Sequence, residues 1–271
     1  QQPQPSPLLR PPEWVTLRAQ PMEGWVRGHM LHGNVGYLRI RQFTEVGTED
    51  LVRELERLQR AGAGGWVVDL RNNPGGQLTE AMLQASLLLP PESDATVAYT
   101  VDAAGRQLSH TSRAVRTQAA SGVHAEAPGG VGKQAASTIE DHASAAAPRD
   151  GGPEVGGLVP TPQERGALAE PGLVGADGFL TALVPPNDPI VLLVDRGTAS
   201  SAELFATALR DNGRAVILGE NTYGKGLIQR IFPMPNGGAL KLTIGEYLTP
   251  SYGQVQPGVG LTPDVACAAP V

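Results

Sequence analysis

Three short apolar runs limit what this chain can become: Trp66-Val67-Val68-Asp69-Leu70, Ile190-Val191-Leu192-Leu193-Val194 and Ala215-Val216-Ile217-Leu218-Gly219. Runs of this length, bounded by turn residues, read as buried strands. The first leads into the loop Arg71-Asn72-Asn73-Pro74-Gly75-Gly76 and then an apolar helix from Leu78 to Leu89, which Pro90-Pro91 stops. The second leads into Gly197-Thr198-Ala199-Ser200 and a helix from about Ser201 to Asp211. Repeated strand–helix–strand order predicts a mixed α/β domain. Other elements fit around it. Trp14 to Arg18 and Val35 to Ile40 read as strands. Thr48 is placed to cap a helix whose Leu51, Leu55 and Leu58 share one face. Leu227 to Phe232 and Ala239 to Tyr247 read as paired strands, with Pro235-Asn236-Gly237-Gly238 as their turn.

The chain holds 34 glycines and 24 prolines in 271 residues, and these breakers are not spread evenly. Residues 1–12 read as a proline-rich linker. Residues 102–178 are rich in Ala, Gly, Ser and Pro with no sustained period, and read as a disordered insertion. The core is then discontinuous, 13–101 and 179–271, and His110, His124 and His142 read as solvated residues of the insertion. The start at Gln1 reads as that of a mature or excised fragment. Net charge is −6 and no Lys/Arg cluster is present, which argues against nucleic acid as a partner. A single cysteine, Cys267, excludes an intrachain disulfide and a thiolate metal site. No cofactor is expected, because neither a metal-ligand cluster nor a glycine-rich nucleotide loop of the required spacing occurs.

Chemistry concentrates after the second run. Ser200 sits on a strand-to-helix turn, Lys225 follows 25 residues later between Gly224 and Gly226, and Gln229 comes four residues after that. A hydroxyl, an amine and an amide in that order look like a nucleophile, its base and an orienting group. Met alone, each has an ordinary reading: a helix cap, a turn lysine and a strand residue. A lysine is a poor base at its ordinary pKa of about 10.4, so the role requires a pocket that disfavours the ammonium. The five histidines lie far from Ser200 in sequence and outside any motif, so lysine is the expected base. The N–H of Ser201, at a helix N-terminus, could hold an oxyanion, and Gly75-Gly76 could supply the second donor. Glu203 and Asp211 read as structural acids.

Together these segments resemble the carboxyl-terminal processing, or tail-specific, proteases. The resembling pieces are Val35 to Phe43, Val68 to Gly76, Gly197 to Glu203, Gly219 to Gln229, and Pro257 to Val265. The Ser–25–Lys–4–Gln spacing is the most specific of them. The resemblance implies a crotonase-like peptidase core with Ser200 as nucleophile, Lys225 as general base and Gln229 orienting it. It implies oxyanion donors in the N–H groups of Ser201 and of Gly76, with Gly75 as the alternative. It implies a protein or peptide substrate with a free C-terminus, cut without metal or nucleotide. A monomer and peripheral membrane contact are further expectations. The family's usual PDZ domain is absent from this chain, and the long insertion is atypical. That padding resembles green-algal proteins, which implies the chloroplast thylakoid lumen and a photosystem II reaction-centre protein as substrate. The bacterial periplasm is the alternative compartment. Two other functions compete: a non-catalytic binding module of the same fold, and a crotonase-type acyl-CoA enzyme. An intact Ser/Lys/Gln set argues against the first, and missing CoA features against the second.

Overall fold

The computed structural model describes residues 24–90, 94–120, 182–234 and 237–267. Its centre is a six-stranded sheet built from β1 (Val26–Leu31), β2 (Val35–Ile40), β3 (Gly65–Asp69), β6 (Ile190–Val194), β7 (Ala215–Gly219) and β10 (Val265–Ala266), in the order 1-2-3-6-7-10. Only the β1–β2 pair is antiparallel, and the remaining pairs are parallel. The three apolar runs are thus neighbours at the middle of the sheet. Parallel strands need crossover connections, and helices supply them. A second, antiparallel sheet has the order β5 (Gln107–Thr111), β4 (Thr96–Asp102), β9 (Ala239–Leu248), β8 (Leu227–Pro233).

Helices pack between and beside these sheets. In α1 (Glu45–Arg60), Leu51, Leu55 and Leu58 are fully buried on the face packed over β1 and β2. The helix α2 (Leu78–Leu88) is buried along nearly its whole length, against α3 (Ser112–Ala120) and α4 (Ser201–Asp211). In α4 every residue from Ser201 to Leu209 is buried, because the helix meets β7 of one sheet and β4 of the other. Helices with little wet face are rich in apolar residues, and the polar side chains they bury, among them Gln84, Glu203 and Thr207, are held by hydrogen bonds.

Several sequence expectations need correction. The first helix begins four residues earlier than expected, at Glu45. Thr44 caps it, accepting from Gly47 N–H at 2.9 Å. Thr48 lies inside, where its hydroxyl donates to Glu80 Oε2 at 2.7 Å and accepts from Gln84 Nε2 at 2.9 Å. The strand β1 is not legible as one, since Gly28 and two basic or aromatic-ring residues break its alternation and only Val26 is buried. The insertion does not begin at residue 102. Residues 107–120 form β5 and α3, with Val115 and Arg116 buried and Arg116 Nη1 donating to the Ser86 carbonyl at 2.8 Å. His110 is not solvated: it is buried on β5 and its Nε2 lies 2.9 Å from Thr100 Oγ1. Residues 121–181, with His124 and His142, lie outside the described residues, as do the linker, the Trp14–Arg18 stretch, and Pro235 and Asn236 of the predicted turn.

Candidate active site

Three loops leave the carboxyl ends of adjacent strands: 70–77 after β3, 195–200 after β6 and 220–226 after β7. Ligands of open α/β sheets collect at such ends. The first two loops are laced together. Thr198 Oγ1 donates to the Leu70 carbonyl at 2.9 Å, and Ala199 N–H donates to the Asn73 carbonyl at 2.9 Å. Asp195 Oδ1 accepts from Asn72 N–H at 2.8 Å and from Gly197 N–H at 2.9 Å. Gly197 has no room for a side chain, since a Cβ would meet Asn72 Oδ1 at 2.6 Å. Asn73 is fully buried; its Nδ2 donates to the Ile40 carbonyl at 3.0 Å and its Oδ1 accepts from Gly75 N–H at 2.9 Å.

At the foot of the first loop, Asp69 is buried under two guanidiniums. Arg71 grips it with Nε and Nη2 at 2.9 and 2.7 Å, and Arg39 Nη1 lies 2.7 Å away. Tyr37 donates its hydroxyl to Asp69 Oδ2 at 2.6 Å. Burial pushes the Asp69 carboxyl up, but the hydrogen bonds from Arg71 and Tyr37 and the charge of Arg39 outweigh it and hold the pKa below the usual carboxylate value. Burial and the Asp69 charge push the Tyr37 hydroxyl up.

Ser200 occupies the turn where β6 gives way to α4, with φ 57° and ψ −123°. A non-glycine residue pays roughly 1–3 kcal/mol for such backbone, and it persists only where surrounding contacts enforce it. Two buried side chains do so. Glu203, fully buried, accepts from Ser200 N–H at 2.8 Å, Gly224 N–H at 2.7 Å, Lys225 N–H at 2.8 Å and the Thr222 hydroxyl. Tyr247 reaches from β9 and points its hydroxyl at the carbonyls of Ser200 and Lys225, at 2.9 and 3.1 Å. Burial and the nearby Glu203 charge push the Tyr247 pKa well up, so it stays a donor. The main chains of Ser200 and Lys225 are therefore tied twice, once through their amides and once through their carbonyls.

A groove of about 430 Å³ opens over this junction. It is lined by all five residues singled out in the sequence: Gly76, Ser200, Ser201, Lys225 and Gln229. Among the described residues, the N–H groups of Gly76 and Ser201 have no acceptor. Gly75 N–H, by contrast, is committed to Asn73. Ser201 Oγ donates to the Gly76 carbonyl at 3.0 Å, which fixes one N–H-bearing segment against the other. Gly75 packs on the Ser200 turn so closely that a Cβ would meet Ser200 Cβ at 2.9 Å. No described hydrogen bond joins the Lys225 amine to Ser200 Oγ or to Gln229. Such bonds often tighten only when substrate arrives.

The sequence profile of Peptidase family S41 matches residues 34–267. The chain belongs to peptidase family S41. Among its relatives is the carboxyl-terminal-processing protease of Synechocystis sp., 29% identical over 238 residues, covering 88% of this chain and 39% of that protein. Carboxyl-terminal-processing peptidase 1, chloroplastic, of Arabidopsis thaliana is 30% identical over 231 residues, covering 85% and 33%. A solved structure, the photosystem II D1 C-terminal processing protease, superposes with a TM-score of 0.55 at 22% identity, over 93% of this chain and 49% of that one. At that identity it shows the fold, a mixed α/β core of the crotonase-like peptidase kind. The chain spans less than half the length of these relatives.

One residue central to the site's geometry, Tyr247, escapes the sequence reading. Glu203, ranked there as a structural acid, is one, and it ties the Ser200 and Lys225 segments together. Its signal was present, as an acid three residues after a Ser at a helix start. Tyr247 carried no signal, for nothing near it in sequence points to the two carbonyls it bridges.

Proposed function

We propose that this chain carries the catalytic machinery of a serine endopeptidase that cuts polypeptides near their C-terminus. The observation behind it is the setting of Ser200. It is held in strained backbone at a helix N-terminus, in one groove with two uncommitted N–H groups, a lysine and an amide. Ser200 Oγ attacks the scissile carbonyl carbon while the Lys225 amine takes its proton. The N–H groups of Gly76 and Ser201 receive the negative charge on the carbonyl oxygen. Lys225 then gives the proton to the departing amine, leaving an acyl group on Ser200. Water, deprotonated by the same lysine, releases the acid and restores the hydroxyl. Gln229 keeps the lysine aimed. No cofactor enters any step.

The carboxyl-terminal-processing relatives support the substrate class. The chloroplastic members among them support the thylakoid lumen as compartment. The D1 processing protease, similar in fold, supports the C-terminal extension of a photosystem II reaction-centre protein as substrate. The test is cleavage of a peptide with a free, apolar C-terminus by the wild type, Ser200→Ala and Lys225→Ala, alongside labelling by a fluorophosphonate read by mass. Both variants should lose nearly all turnover, and Ser200→Ala should lose the label. Full activity in Ser200→Ala would overturn the assignment.

A further inference from the structure

The groove is basic in an acidic molecule. The chain has 27 acidic and 21 basic residues, yet the described residues lining the groove include Lys225, Arg230 and Lys241 and no carboxylate. The three cations are not equivalent. Arg230 carries its guanidinium 5.9 Å from the Phe232 ring centre. Residues 230 and 232 share one face of β8, while 227, 229 and 231 share the other. Lys241 is the cross-strand partner of Ile231 and stands on that second face. Among the described residues its amine has no acidic partner. Leu227 and Ile231 on the same face are 45% and 64% exposed and line the groove.

Among the described residues, β8 is also an edge of its sheet, paired with β9 alone. Its outer N–H and C=O groups can receive an extended polypeptide as a further strand. Such a peptide, starting at Ser200, would pass Leu227 and Ile231 and reach the level of Lys241. That level is six residues along the chain from Lys225, on the order of 20 Å. We propose that Lys241 determines specificity by receiving a substrate carboxylate about six residues from the scissile bond, with Leu227 and Ile231 taking apolar side chains between. This rests on the peptidase reading above. The carboxylate is either the substrate's terminal one or an Asp or Glu side chain, since both offer the lysine the same group.

Three matched peptides separate these sources: one ending in a free acid six residues past the cut, the same peptide as its amide, and the amide with Asp in the last position. For the wild type, kcat/KM should favour the free acid over the amide by about three- to tenfold, the size of a partly exposed ion pair, and added salt should shrink the ratio. The ratio should fall to about one in Lys241→Ala, below one in Lys241→Glu, and survive in Lys241→Arg. Recovery of the preference by the Asp peptide assigns a side-chain carboxylate as sufficient; failure to recover it assigns the terminal one. Binding of the same peptides to Ser200→Ala, by fluorescence anisotropy, reads Lys241 independently of turnover. A wild type that cuts acid and amide alike, or an undiminished ratio in Lys241→Ala, overturns the proposal and leaves the peptidase reading standing. Absence of Ser200-dependent cleavage, with the binding preference intact, overturns the peptidase reading instead.

Discussion

Glu203 is a fully buried carboxylate, and four donors on two segments surround it. Hydrogen bonds to an ionised group contribute about 1.5–3 kcal/mol each, more than neutral ones. Glu203→Gln keeps the shape but turns an NH2 group toward donors. It should lower kcat by two orders of magnitude or more with a much smaller change in KM, and depress the melting temperature. Steady-state kinetics with a melting curve would check both. A second prediction concerns Gly75, whose φ of 102° and proximity to Ser200 Cβ leave no room for a methyl group. Gly75→Ala should push the nucleophile turn away from Gly76, cutting kcat at least tenfold and costing roughly 1–3 kcal/mol of stability. At this scale the sequence was informative where residues are local. Ser200, Ser201, Lys225, Gln229 and the paired glycines all appear in short motifs. Tyr247 was invisible because its two partners lie 47 and 22 residues away, and only the pairing of β9 beside the Lys225 turn brings them within reach.

Two threonines, each followed by Glu, compete to open α1: Thr44-Glu45 and Thr48-Glu49. Local propensity scores them alike, so burial decides. Thr48 faces α2 and exchanges hydrogen bonds with Glu80 and Gln84, which leaves Thr44 as the cap. Thr44→Ala should therefore cost about 1 kcal/mol, the ordinary value of a cap. Thr48→Val should cost more, about 2–3 kcal/mol, because it removes two buried side-chain hydrogen bonds, to Glu80 and from Gln84. Denaturant unfolding of the two variants distinguishes the assignments. The same logic explains why the central strands were readable and β5 and α3 were not. Strands with apolar neighbours on both sides must be apolar themselves. A short helix whose described buried residues are Ser112, Val115 and Arg116 shows no apolar period, and the Ser, Arg, Thr and Gln in its sequence mimic a loop.

For the whole molecule, His110 and Asp69 are two buried groups through which acid lowers stability. His110 is kept neutral by burial, its pKa lowered, whereas the unfolded chain takes up the proton near the ordinary value of about 6.5. The unfolded state then binds more protons, so stability falls as pH drops from that value toward the folded one. Asp69 acts lower down. Its depressed pKa contributes stability above the ordinary carboxylate range, and this is lost as pH falls through the folded value. Melting temperatures between pH 3 and 8 should fall in two stages, the upper stage missing in His110→Gln and the lower one weakened in Asp69→Asn. The arrangement of the two ends of the chain carries a different consequence. The strands β3 and β6 are direct neighbours, Thr198 and Ala199 bond to Leu70 and Asn73, and Arg214 Nε donates to the Leu88 carbonyl at 2.9 Å. The Gly75-Gly76 segment and the Ser200 turn, proposed above as oxyanion donor and nucleophile, thus come from opposite sides of residues 121–181 and meet across a non-covalent seam. Two separate polypeptides, 1–120 and 182–271, should each be inert and should regain turnover on mixing. The concentration giving half-maximal rate would then measure how strongly one half of the chain recognises the other.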